Sequence, residues 1–118
     1  MKGVFLRLYV HEQQKHKHRL LYEWLLNEAK KLGIHGATAF RAVAGFGHHG
    51  QLHFQHFYEL AGDLPMQIDF VVTDAEADRF LDLVKSEGLR VFYLRLAADF
   101  GVINPNGEDA PELRGDPA

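Results

Sequence analysis

Hydrophobic and polar positions alternate with a period of two along Val4–Val10: Val4, Leu6, Leu8 and Val10 fall on one side and Phe5, Arg7 and Tyr9 on the other. That period predicts a strand over residues 3–10. The period then changes. Leu21, Trp24, Leu25, Glu28 and Leu32 recur at helical spacing, and Gly33 follows, so an amphipathic helix is expected over residues 16–32. Alternation returns over 38–44, where Phe40, Ala42 and Ala44 interleave with Ala39, Arg41 and Val43. It returns again from Met66 to Val72, behind a Pro65 whose missing N–H does least harm at a strand start. Thr73-Asp74-Ala75-Glu76 reads as a capping box. Ala77, Phe80, Leu81 and Val84 make the stripe of a second helix, stopped at Gly88, and residues 89–96 read as the last strand.

The resulting order, βαββαβ, predicts an α+β ferredoxin-like sandwich with two helices on one face of a four-stranded antiparallel sheet. The second face, carrying Phe5, Tyr9 and Val71, has no helices left to cover it, which points to a subunit contact. Arg7, Arg41, Asp69 and Arg95 are expected there as an interfacial charge network. Residues 1–103 are taken as one domain. The segment 104–118, with three prolines, two glycines and five charges, is expected to be a disordered acidic tail.

Composition narrows the function classes. The 118 residues are 47% hydrophobic and 25% charged, as in an ordinary globule. Outside the tail, 12 basic and 12 acidic residues balance, which leaves no footprint for nucleic acid or an anionic membrane. There is no cysteine, hence no disulfide, thiolate metal site or cysteine nucleophile. No apolar run reaches spanning length and no leader pattern opens the chain, so membrane insertion is not expected and a cytoplasmic location is.

The long connection between the second and third strands is the distinctive stretch. Gly45-Phe46-Gly47 and Gly50 place three glycines within six residues, followed by His48, His49, His53 and His56 among aromatics and a return at Asp63-Leu64-Pro65. Glycines in this density permit close approach of a ligand or another backbone, and exposed N–H groups there would suit an anion. The competing reading is that they only bend an extended hairpin. The four histidines could ligate a transition metal, but no rigid support is evident for them, so a solvated loop is the preferred reading. His11-Glu12-Gln13-Gln14-Lys15 fails the zinc-protease pattern because its fifth position is lysine. No nucleophile–base pair, carboxylate pair or P-loop is present, and no enzyme is expected.

The pattern Gly36-Ala37-Thr38-x-Phe40-Arg41, then Ala44-Gly45-Phe46-Gly47, then Gly50-x-x-His53, then Asp63-Leu64-Pro65 resembles a family of small proteins grouped with the PII-like signal-transduction proteins. The resemblance runs from about Lys2 to Ile103. It implies a PII-like fold and a homotrimer with sheets turned inward. It further implies a small-molecule effector, with an adenine nucleotide as the leading candidate, held in inter-subunit clefts lined by Thr38, Arg41, Gly45, Phe46, Gly47, His48 and Gly50. The loop 47–63 would then engage a target protein. The chain departs from PII at Ser86-Glu87-Gly88-Leu89, where PII has a basic glycine loop and no lysine stands here. The alternative is a metal-binding trimer resembling the divalent-cation-tolerance proteins, with His48, His49, His53 and His56 as ligands.

Overall fold

The computed structural model describes residues 1–45 and 64–107. In chain order the elements are β1 (Lys2–His11), β2 (Lys15–His16), β3 (Arg19–Leu20), α1 (Leu21–Lys31), β4 (Thr38–Arg41), β5 (Pro65–Val72), α2 (Asp74–Ser86) and β6 (Phe92–Asp99). The four long strands form one sheet in the order β4-β5-β1-β6. Each adjacent pair is antiparallel. This is the ferredoxin-like α+β arrangement, with β1 and β5 central and both helices on one face.

The alternation read in β1 and β5 is the register of the core. Leu6 stands opposite Phe70 and Leu8 opposite Ile68. All four are essentially inaccessible, together with Leu21, Leu25 and Phe80 from the helices. Phe70 and Phe80 bring their rings to 5.0 Å. The capping box at α2 forms as the sequence predicts: the Glu76 N–H donates to Thr73 Oγ1 at 3.1 Å, and the Thr73 N–H donates to Glu76 Oε1 at 2.9 Å. Gly33 and Gly88 end their helices with φ of +87° and +71°, the left-handed residue that closes a helix without a Cβ penalty.

Three boundaries differ from the sequence reading. The first helix starts at Leu21 rather than at 16. Lys15 to Leu20 instead fold back as a two-residue-per-strand hairpin whose turn residues, Lys17 and His18, have φ of 53° and 65°. Its local backbone partners take precedence over the weak helix propensity of this polar run. The second strand stops at Arg41 instead of reaching Ala44, because β5 offers it no partner beyond Met66 except the Pro65 carbonyl, which accepts from the Ala42 N–H at 2.8 Å. The last strand is displaced by three residues to Phe92–Asp99. Leu89 and Val91 pack as partly buried residues against the core after the Gly88 turn, and pairing begins only where Phe92 meets Tyr9.

The expected tail enters the described residues only as far as Gly107, whose N–H closes a turn onto the Asn104 carbonyl at 2.8 Å. The remainder of that expectation lies outside the described residues. No described helix is long and apolar enough to cross a membrane.

Candidate functional site

The root of the β4–β5 connection is built by three strand ends. β1 ends beside the start of β5, with His11 opposite Pro65, and just beyond it the Glu12 N–H donates to the Leu64 carbonyl at 2.8 Å. Arg41, the last residue of β4, puts Nη2 2.6 Å from Glu12 Oε2, with the carboxylate largely covered and the guanidinium 57% exposed. Gly45 lies against the same root. A Cβ built there would meet Pro65 Cγ at 3.5 Å, an ordinary contact, so the backbone at this glycine has room for a methyl group.

Of the predicted site residues, Thr38, Arg41 and Gly45 are described. Phe46, Gly47, His48 and Gly50 lie outside the described residues, as do the alternative metal ligands His49, His53 and His56. Thr38 and Arg41 do not share a surface. Three positions apart on a strand, they point to opposite faces: Thr38 stands opposite Asp69 on the uncovered face, and Arg41 opposite Met66 on the helix-covered side. Among the described residues no group of three or more His, Asp or Glu could hold a metal ion.

The turn after α2 lies at this same end of the sheet, and the β2–β3 hairpin reaches across to it. His16 Nε2 is 2.9 Å from Glu87 Oε1, and Lys17 Nζ is 3.1 Å from the same oxygen. The hydrogen bond from His16, and then that from Lys17, hold the Glu87 carboxyl below its ordinary range. His16 and Lys17 of the hairpin thus bring basic groups to the turn at Ser86–Leu89, which carries none itself. Glu12, His16, Lys17 and Glu87 escape sequence reasoning because the pairs they form join segments as far as 71 residues apart, and no periodicity encodes such a meeting.

The uncovered sheet face is mostly apolar. Phe40, Val71, Phe92 and Leu96 are each about half exposed or more, and Tyr9 and Phe92 hold their rings 5.5 Å apart. At the centre, Arg7 clasps Asp69 through Nε–Oδ1 at 2.7 Å and Nη2–Oδ2 at 3.0 Å. The Phe5 ring lies 5.2 Å from the guanidinium carbon. The bond to Asp69 raises the Arg7 pKa further. The expected network on this face is therefore reduced to one pair. Arg41 and Arg95 both belong to the opposite side, and Arg95 bonds Asp78 at 2.8 Å and Asp74 at 3.0 Å on α2. The physical reason is register, since Arg95 pairs with the core residue Leu6 and must share its face. An open groove of about 550 Å³ lies on that helix side, between α2 and β6, over Leu81, Val84, Leu89 and Val91. It lies along the β6 edge of the sheet, the edge opposite β4.

The model of the family DUF190, an uncharacterized ACR, matches residues 3–89. A UPF0166 protein of Aquifex aeolicus is 30% identical over 87 residues, covering 74% of this chain and 83% of the relative. A UPF0166 protein of Methanocaldococcus jannaschii is 30% identical over 93 residues, covering 75% and 85%. Among solved structures, the PII-like protein CPII of Thiomonas intermedia K12 bound to ADP and bicarbonate superposes with a TM-score of 0.57 at 16% identity, covering 86% of this chain and 93% of that one. A second CPII structure, with ADP, AMP and bicarbonate, gives 0.54 at 15% identity over 87% and 99%. A PII-like signaling protein of Thermus thermophilus gives 0.50 at 16% identity over 82% and 88%. At these identities the solved structures establish a shared fold.

Proposed function

The chain belongs to the DUF190 family, and from that footing we propose that it is a non-catalytic, PII-like regulatory protein. In this reading it assembles as a homotrimer through its uncovered sheet face and binds an adenine nucleotide at the root of the β4–β5 connection. The observation that carries the assembly is the sheet face itself. Phe5, Tyr9, Phe40, Val71, Phe92 and Leu96 make this face largely apolar around the Arg7, Asp69 and Gln67 cluster, a surface that no described helix covers.

The nucleotide is supported by fold kinship with a protein whose structures hold ADP, and by the chemistry gathered at the strand ends. Arg41 offers a half-exposed guanidinium at the root, and Lys17 stands over the turn after α2. Gly45, against Pro65, leaves room at the same root. A phosphate chain laid along the root would draw Arg41 away from Glu12, because a phosphate takes a guanidinium by two parallel hydrogen bonds. The connection beyond Gly45 would then carry the bound state to a target protein, with the ligand acting through its different affinity for two states of the root.

Light scattering at micromolar concentration, paired with calorimetry against ADP, AMP and ATP with and without bicarbonate, tests both halves. A trimer mass with saturable nucleotide heat is expected. A monomer mass overturns the assembly, and no heat at millimolar nucleotide overturns the effector.

A further inference from the structure

We propose that the His16–Glu87 pair is a proton-sensitive latch that fastens the β2–β3 hairpin to the C-terminal turn of α2 and, through the hairpin, couples that turn to the root of the β4–β5 connection. The hairpin cannot hold itself. It has only two paired positions on each strand, and its turn places Lys17 and His18, neither of them glycine, asparagine or aspartate, at positive φ. What fixes it must be tertiary contact. His16 supplies that contact: its side chain is 15% exposed and Glu87 is 22% exposed, so water competes weakly for their 2.9 Å bond. The imidazole also stands edge-on to the indole of Trp24 in α1, with ring centroids 4.7 Å apart.

The groups that face His16 come from the α2 turn, its own hairpin and α1. Glu87 faces it from the α2 turn and Lys17 from its own hairpin, Arg19 is its register partner across β3, and Trp24 of α1 carries no charge. Protonation turns the hydrogen bond from a neutral imidazole to the Glu87 carboxylate into a full ion pair, on an oxygen that Lys17 already shares. Backbone hydrogen bonds join the base of the hairpin to the end of β1. The Leu21 N–H donates to the Gln14 carbonyl at 2.7 Å and the Gln14 N–H to the His11 carbonyl at 3.1 Å. Glu12 then grips both Leu64 and Arg41. A change in tension at His16 is therefore transmitted along a bonded path to the residues at the root.

Trp24 is the chain's one tryptophan, and an imidazolium quenches indole emission more than an imidazole does. The test is a titration of the full chain between pH 5 and 8, following Trp24 fluorescence and the backbone amide resonances of Ala42 and Leu64 together. A fluorescence transition is expected, with a component of the same midpoint at both amides. His16→Gln should abolish the fluorescence transition and that component, leaving any contribution from the neighbouring His11 in place. Glu87→Gln should keep the fluorescence transition and lose the component at Ala42 and Leu64.

An amide component at the wild-type fluorescence midpoint that survives in His16→Gln would overturn the latch, as would one that survives in Glu87→Gln or a flat wild-type fluorescence curve. Should His16→Gln lose its fold by circular dichroism, Glu87→Gln with the wild-type curve still decides the matter. No ligand enters the experiment, so a failed nucleotide titration leaves this inference untouched.

Discussion

Arg7 and Asp69 stand directly opposite each other on the two central strands and close a two-point ion pair, 2.7 and 3.0 Å, in the middle of an apolar sheet face. Gln67 completes the cluster. In the orientation that satisfies both groups, its carboxamide oxygen accepts from Arg7 Nη2 at 2.9 Å. A pair so placed has a different value in water and under a partner subunit. When the face is covered, removing one member strands the other charge away from solvent, whereas replacing both with apolar residues does not.

Arg7→Met is accordingly expected to weaken assembly, and Arg7→Met/Asp69→Leu to restore it. Sedimentation at micromolar concentration reads this directly. Equal assembly in the single and double variants would mean that this face stays wet.

A second variant tests the same face from its edge. Phe92 is 65% exposed, and of the described rings it meets Tyr9. Phe92→Asp therefore removes little from the folded subunit but puts a charge into any contact that covers β6. The expected result is a monomer mass with an unchanged far-ultraviolet circular dichroism spectrum. Retention of the parent's assembled mass would confine the proposed interface to β1 and β5.

The interior was legible because burial is periodic. Leu6, Leu8, Ile68 and Phe70 announce themselves by alternation, and Phe80 by its place on a helical stripe. Phe80→Ala should cost about 3–5 kcal/mol. Thr73→Ala, which removes half of a capping box visible in four consecutive letters, should cost about 1 kcal/mol. Urea denaturation distinguishes the two. What the sequence could not disclose was register at the edges and contacts between distant segments. Arg95 looked like an outer-face charge until its pairing with Leu6 placed it beside Asp74 and Asp78. His16 opens the helix expected over residues 16–32, and the hairpin instead turns it onto Glu87. Of the predicted cleft, Thr38 and Arg41 point to opposite faces of β4, as their separation by three dictates.

The acid limb of stability should carry the signature of Glu87. His16 and Lys17 hold its carboxyl below the ordinary carboxylate range in the folded chain, so folding favours the ionised form. That contribution is complete above the unfolded carboxylate value and is lost as pH falls through the lower folded-state value. Glu87→Gln should therefore be less stable than the parent at pH 6 and approach it below pH ~4, because the unperturbed glutamate value is about 4.3. Urea midpoints measured from pH 3 to 7 check this. A constant gap across that range would remove Glu87 from the acid response.

Gly45 separates the ligand reading from the purely structural one. Its backbone is not in the left-handed region, and a Cβ there would meet Pro65 Cγ at an ordinary 3.5 Å. Gly45→Ala should thus leave stability within about 0.5 kcal/mol of the parent, or raise it slightly by restricting the unfolded chain. Gly88→Ala makes the contrast. With φ of +71° and open space around it, it should lose about 1–2 kcal/mol through backbone strain alone. If Gly45 instead borders a nucleotide cleft, a longer side chain will fill space that the fold itself does not need. Gly45→Leu is then expected to abolish ADP binding by calorimetry while the trimer mass and urea midpoint stay near those of Gly45→Ala. Undiminished ADP affinity in Gly45→Leu would move the cleft away from this root.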